Sequence, residues 1–238
     1  MTTGVQAADP AAGLLTGAGS VLAVVAHPDD ESFGLGGVLE RLAASGAATA
    51  VLCFTHGEAS TLHGLDCDLD TVRPAEFAAA TRVLGIERSQ LLAYPDGALG
   101  EVPVAVLAGH VTRLAQQVRP THLLAFDTGG ITGHPDHARA TAAALAAAGI
   151  LGIPVLIWAL PAAVADALNS EFGTSFAGRP PAELAELTVD RARQSDAIAC
   201  HASQSSDNAV LRRRLELLGD TEHLLLAPAP AAGTLTSG

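Results

Sequence analysis

Val21-Leu22-Ala23-Val24-Val25-Ala26-His27-Pro28-Asp29-Asp30-Glu31-Ser32 is the stretch whose reading decides the fold. Its first six residues are apolar, continuous and rich in β-branched side chains. That pattern predicts a strand buried on both faces, as in a parallel sheet. One imidazole and three carboxylates follow at the strand's C-terminal end. Gly34-Leu35-Gly36-Gly37 then opens an apolar-periodic helix to about Ala44. In open α/β sheets, ligands bind at the C-terminal ends of the strands. Crowding these groups together is costly unless a cation offsets their charge.

The same alternation continues outward from this stretch. Ala48–Phe54, Ser89–Ala93, Thr121–Phe126 and Ile153–Ala159 read as strands, Leu184–Asp190 as an edge strand and His223–Leu226 as a last short one. Between them, helices are expected from Pro74 to Leu84, with the proline in the first turn and Gly85 closing it, and over Val102–Val118, stopped by Arg119-Pro120. An Ala-rich helix to Ala148, then Pro161–Asn169, Arg191–Ala202 and a helix capped by Asp207 complete the set. Residues 56–72 and 170–183 read as loops of a length typical of lids. Together these predict an α/β fold: a Rossmann-like, doubly wound, mostly parallel sheet with helices on both faces. A single domain is expected over 20–226, between a flexible N-terminal segment, 1–19, and a flexible tail, 227–238.

Composition excludes several classes. The chain has 238 residues, 49% of them hydrophobic and 16% charged, which supports a packed core and argues against disorder. All thirteen basic residues are arginine, so no P-loop or catalytic lysine is available. A net charge of −12 disfavours nucleic acid and anionic membranes as partners. The one basic run, Arg212-Arg213-Arg214, reads as a solvated helix face. Cys53, Cys67 and Cys200 have no CxxC spacing, and no signal peptide or membrane-length apolar run is present, so a cytoplasmic protein is expected. The Ala-rich surface leaves room for a homo-oligomer.

The polar clusters each follow a predicted strand: His27/Asp29/Asp30, His56/Glu58, Asp96, and Asp127/His134/Asp136/His137. Parallel strands place these ends on one edge of the sheet. Two histidines and a carboxylate with open positions form a catalytic metal arrangement suited to zinc or ferrous iron. The alternating acids of Leu65-Asp66-Cys67-Asp68-Leu69-Asp70 lack the glycine and closing glutamate of an EF-hand. Taken alone, Pro135-Asp136 could equally be a plain helix start with a favourable acidic residue.

His27-Pro28-Asp29-Asp30-Glu31 together with Gly133-His134-Pro135-Asp136-His137 resembles the LmbE-like family of metal-dependent deacetylases, typified by N-acetylglucosaminyl-phosphatidylinositol de-N-acetylase (PIG-L). Further matches are Gly57-Glu58, Arg73, Glu76, Tyr94-Pro95-Asp96-Gly97, Asp127 and His201-Ala202-Ser203-Gln204, in order from about residue 21 to 204. His56 departs from the family pattern. The resemblance implies that His27, Asp30 and His137 hold Zn2+, with Fe2+ as the other candidate. It makes Asp29 the general base toward a metal-bound water. His134 would stabilise the oxyanion, with Asp136 orienting or charging it. Arg73 and Asp96 would grip substrate hydroxyls. Glu31 is expected to tie down backbone amides, and Asp127 to support the ligands from behind, with a strand-end cap as its other reading.

The implied substrate is a small-molecule N-acetylated amino sugar or glycoconjugate. An amidase acting on a mycothiol S-conjugate would use the same constellation. From another class, a nucleotide-binding or inactive metal-binding Rossmann-like module would need G-x-G-x-x-G directly after the first strand or a missing base. The carboxylates of Asp29 and Asp30 stand where those glycines would be. No G-x-S-x-G of a serine hydrolase occurs.

Overall fold

The computed structural model describes residues 13, 15, 17–61 and 68–227. Most of the two segments expected to be flexible, and the central part of the 56–72 loop with His63 and Cys67, lie outside the described residues.

The first strand, β1 (Ser20–Val25), pairs in parallel with β2 (Ala48–Thr55) on one side and β4 (His122–Phe126) on the other. β3 (Arg88–Tyr94) lies outside β2, and β5 (Val155–Trp158) outside β4, both parallel. The last strand, β9 (Thr221–Ala227), runs antiparallel to β5, and β8 (Ala185–Thr188) forms the antiparallel edge. The seven-stranded order is β3-β2-β1-β4-β5-β9-β8. Leu160–Pro161 (β6) and Gly178–Arg179 (β7) make a separate two-stranded ladder inside what sequence reads as helix start and loop.

Alternation along β1 sorts the core into two layers. Val21, Ala23 and Val25 face one cluster, with Leu35, Val38, Leu39 and Leu42 of the helix α2 (Gly36–Ala44). Leu22, Val24 and Ala26 face the other, with the helices α4 (Val104–Val118) and α5 (Pro135–Leu151). Burying each Leu or Val here contributes about 1.5–3 kcal/mol. Ala140, Ala143, Ala144 and Ala147 put only small side chains on the inner face of α5, which lets α4 and the sheet approach closely. With apolar helices on both faces, the expected doubly wound sheet forms.

Three local expectations differ. The helix α3 (Leu69–Val83) begins five residues before Pro74, so that proline lies inside it. The loss is confined to one backbone hydrogen bond near the N-terminus, and Arg73 and Glu76 anchor the helix to the site loops. The helix α9 (Ala209–Leu218) is capped by Asn208, whose side chain accepts from Leu211 N at 2.9 Å, and not by Asp207, which sits at φ 53°. Arg214 on α9 is buried, so the Arg212-Arg213-Arg214 run is a solvated face only at its first two residues.

Strand order reverses between β1 and β4. Loops leaving those two strands part to opposite sides and leave a crevice between them, the ligand position of such sheets.

Candidate active site

The β1 loop is built to aim its side chains. Asp30 opens the one-turn helix α1 (Asp30–Phe33) and turns its carboxylate back, so that Oδ2 accepts from the backbone of Ala26 (3.1 Å) and His27 (3.0 Å). Asp29 is forced to φ 111°, left-handed and strained for a residue with a Cβ. Three contacts hold it there: Arg73 donates to the Pro28 carbonyl, Arg73 Nη2 lies 2.8 Å from Asp29 Oδ2, and Asp29 N donates to Glu31 Oε2 at 3.0 Å. Gly57 makes this possible, because a Cβ at that position would collide with the Arg73 guanidinium.

The β4 loop supplies the facing residues. Its tight turn at Gly130–Gly133 carries Ile131 at φ 55°, and α5 starts directly afterwards. His137 Nδ1 lies 3.1 Å from the Gly130 carbonyl, so Nδ1 carries the proton and Nε2 presents its lone pair. His134 Nδ1 accepts from Asp136 N at 3.2 Å, which places the His134 proton on Nε2.

Three ligand atoms converge between these loops. His27 Nδ1 is 3.1 Å from His137 Nε2, and His137 Nε2 is 3.0 Å from Asp30 Oδ1. The three residues form one of two groups among the described residues whose ligand atoms all lie close enough to share a cation. The other, His27 with His134 and Asp136, uses the far nitrogen side of His27, where Asp96 Oδ1 stands 3.0 Å and Asp136 Oδ2 3.5 Å from Nε2. Those carboxylates put negative charge on the Nε2 side of His27, which leaves Nδ1 facing His137 and Asp30.

Electrostatics favour positive charge at this point. Burial opposes charge on His27, yet Asp136, Asp96 and Asp30 outweigh it and push its pKa up to about 10. Burial likewise opposes charge on His137, and Asp30 raises its pKa regardless. For Asp30 burial works upward, but His137 and His27 hold it well below the usual carboxylate range. Burial pushes Asp29 up to about 6, against the pull of Arg73. Burial lowers the His134 pKa, and repulsion from His27 and His137 lowers it further, so His134 is neutral.

Several residues stand differently from expectation. The Asp136 carboxylate does not reach His134. It accepts from Gly97 N (2.8 Å) and Leu99 N (3.1 Å) and faces His27, because its place in the first turn of α5 points it at the β3 loop. Arg73 spends its guanidinium on Gly57 O, Pro28 O and Asp29, so it positions the base rather than reaching out to hydroxyls. Asp96 is committed on both oxygens, to His27 and to Ala59 N. Asp127 caps the end of β4, accepting from Thr128 N at 2.7 Å, and forms a two-pronged pair with Arg179 of β7 (2.8 and 2.7 Å) rather than supporting the ligands. Glu31 ties down Asp29 N as expected, and it also meets His201 Nε2 at 2.6 Å, both side chains fully buried.

His27, Asp29, Asp30, Arg73, Asp96, His134 and His137 border one cavity of about 620 Å3. Sequence reasoning did not find its other wall: Phe33, Phe126, Phe176, Leu211 and Arg214. No local motif marks them; only Arg214 stood in a run that drew notice.

The family described as GlcNAc-PI de-N-acetylase matches residues 22–148, just over half the chain. The chain belongs to this family. It is 31% identical, over 80% of its length and 78% of the relative's, to a 1D-myo-inositol 2-acetamido-2-deoxy-alpha-D-glucopyranoside deacetylase of Salinispora arenicola. Against the enzyme of the same name from Streptomyces scabiei it is 33% identical over 56% of its length, and there the match spans about half of the relative. Among solved structures, the zinc-inhibited form of teicoplanin deacetylase superposes with a TM-score of 0.70 at 21% identity, over 89% of this chain and 99% of that one. A 4-carboxy-2-hydroxymuconate hydratase from Pseudomonas putida reaches the same TM-score at 18% identity, over 91% of this chain and 99% of that one. Likeness at that level shows the fold alone; one architecture carries different reactions, and the site has to carry the assignment.

Proposed function

We propose that this chain is a metal-dependent hydrolase that removes the acetyl group from an N-acetylated amino sugar or glycoconjugate. The observation that carries the reading is the meeting of His27 Nδ1, Asp30 Oδ1 and His137 Nε2 beside the Asp29 carboxylate, on the wall of one cavity. Deacetylation of an amino-sugar conjugate by the Salinispora relative supports it.

The donor set fits a resident cation. Two imidazole nitrogens and a carboxylate oxygen converge where at most a proton could otherwise separate them, and two nitrogens with one oxygen suit zinc, with ferrous iron as the second candidate. A cation held there would acidify a water molecule and polarise the acyl carbonyl. The chain's own groups supply the rest. Arg73 occupies Asp29 Oδ2 and leaves Oδ1 to take the water proton. The hydroxyl adds to the carbonyl carbon, and His134 Nε2–H donates to the oxygen as charge develops on it. Asp29 returns its proton to the nitrogen as the C–N bond breaks, releasing amine and acetate.

His27 keeps its orientation through Asp96 and Asp136, and the strained Asp29 keeps its own through Arg73 and Glu31. Arg73 and Asp96 border the cavity as positioning residues. Among the described residues no helix is long and apolar enough to cross a membrane. A small-molecule substrate and a cytoplasmic setting complete the proposal.

The test is amine release from a panel of N-acetylated amino sugars and their glycosides. Activity abolished by a chelator and restored by zinc or ferrous iron is the expected result. A chain that binds no metal and releases no amine would overturn the proposal.

A further inference from the structure

We infer that the cavity has a second arm, closed by Arg214, that takes the acyl side of the substrate and selects acyl groups ending in an anion. This rests on the deacylase reading above and extends its substrate class beyond acetyl.

The arm can be followed by contact. The Phe126 ring sits 5.3 Å from the His137 ring and 5.5 Å from that of Trp158. The Arg214 guanidinium lies over the same Trp158, 5.6 Å from its centre. Phe33 and Leu211 border the space between, and Arg214 Nη2 donates to Phe33 O at 2.7 Å. Gly34 keeps the passage close-fitting: a Cβ there would collide with Phe126. The cavity, of about 620 Å3, is of a size that takes drug-sized ligands, and its lining runs on from the ligand residues to Arg214.

Arg214 is the unusual member. It is 9% exposed and borders the cavity, yet among the described residues it makes one hydrogen bond and no ion pair, and its buried Nε has no partner. The neighbouring acid, Glu222, is already held by Trp158 Nε1 (2.6 Å) and by Arg191. Arg213, one residue earlier, has its carboxylates, Glu171 and Glu216. Burial pulls the Arg214 pKa down, Glu222 attracts it without a hydrogen bond and is shared with Arg191, and a buried guanidinium so incompletely paired is expensive. An anion entering from the cavity would supply the missing charge.

The lining decides which side of the amide goes where. The amide carbonyl would lie between the ligand residues and His134, and Phe126, packed on the His137 ring, begins an apolar surface there that Trp158 continues to Arg214. The acyl chain is assigned to that surface and the sugar to the remaining lining, with Ser60 and Thr61. Methylenes fit Phe126 and Leu211, and a terminal carboxylate meets Arg214. Hydrolysis is unchanged in balance: water gives OH to the acyl carbon and H to the nitrogen, releasing amine and a dicarboxylate.

The experiment compares kcat/KM of the metal-loaded full chain for N-acetyl-, N-butyryl- and N-glutaryl-glucosamine. In the wild type, glutaryl is expected to exceed butyryl about tenfold to a hundredfold, the worth of one charged hydrogen-bond pair. Arg214→Met should erase that ratio, and Arg214→Lys should restore part of it. Leu211→Trp, which fills the arm without touching the arginine, should depress both long acyl groups relative to acetyl. A wild type that prefers butyryl, or a ratio unmoved by Arg214→Met, overturns the arm while N-acetyl turnover leaves the deacetylase reading standing. No turnover of any of the three by metal-loaded protein overturns both.

Discussion

The two walls of the cavity are written in different kinds of sequence. The metal-side wall comes from two short runs, His27–Glu31 and His134–His137, at the ends of adjacent strands β1 and β4. The other wall comes from Phe33 of α1, Phe126 of β4, Phe176, and Leu211 and Arg214 of α9, residues spread over the chain and none in a motif. The first wall is dense in charge and held by hydrogen bonds to the backbone of its own loops. The second is apolar, with one cation at its end. Chemistry that needs several charged groups within 3–4 Å must concentrate them in a few loops, whereas shape can be assembled from anywhere in the fold.

The largest expected effects break the first wall. His137→Ala removes a ligand atom, so bound metal and turnover should both be lost, read by metal analysis and amine release. Asp29→Asn leaves the three ligands in place. It should retain metal and lose about 10²–10⁴ in kcat. Near wild-type turnover in Asp29→Asn would remove Asp29 as the base. Metal loss in that variant would instead show that Asp29 supports the ligands.

His134 comes next and bears on how the motif works. The Asp136 amide on Nδ1 and the lowered pKa make His134 a neutral Nε2–H donor. His134→Ala should cost about 10²–10³ in kcat, the scale of a lost oxyanion donor. His134→Gln keeps an N–H of similar reach and should recover part of that. If only a charged residue restored rate, the neutral-donor account would fall.

Legibility followed the same division. The mostly parallel sheet, the helices on both its faces and the edge position of β8 agree with the sequence reading, because alternation and β-branching report burial directly; the strand order is a finding of the structure. The two histidine–aspartate runs announced themselves by charge density. What sequence did not reveal is which partner each side chain takes. Asp136 was expected on His134 and stands on the Gly97 and Leu99 amides. Arg73 was expected at hydroxyls and is spent on Asp29 and two carbonyls. Those choices depend on long-range closure between loops about forty residues apart, to which residue spacing is blind. Arg214 was hidden for the opposite reason: it ends a run of three arginines, and such a run reads as a solvated face.

His201 joins the two regions, and its loss is the smallest effect on chemistry and a large one on stability. It ends the helix α7 (Ala192–Cys200) and reaches Glu31 of the β1 loop, 170 residues away in sequence, with both side chains fully buried. His201→Ala strands Glu31 and should cost about 3–5 kcal/mol of unfolding free energy. The pH dependence has a definite sign. Burial disfavours charge on His201, but Glu31, with Asp29 and Glu76 behind it, outweighs burial and raises the pKa above the ordinary 6.5. The folded state therefore binds the proton more tightly than the unfolded chain. The stabilisation is complete below about pH 6.5 and fades as pH rises through the folded-state value. Urea unfolding should thus show the gap between wild type and His201→Gln, which keeps a donor but no charge, largest at pH 6 and narrower at pH 9. A gap that stays constant, or widens with pH, would mean that His201 is neutral in the fold and that packing against Phe33, 5.9 Å away ring to ring, is what holds the C-terminal helices on the site.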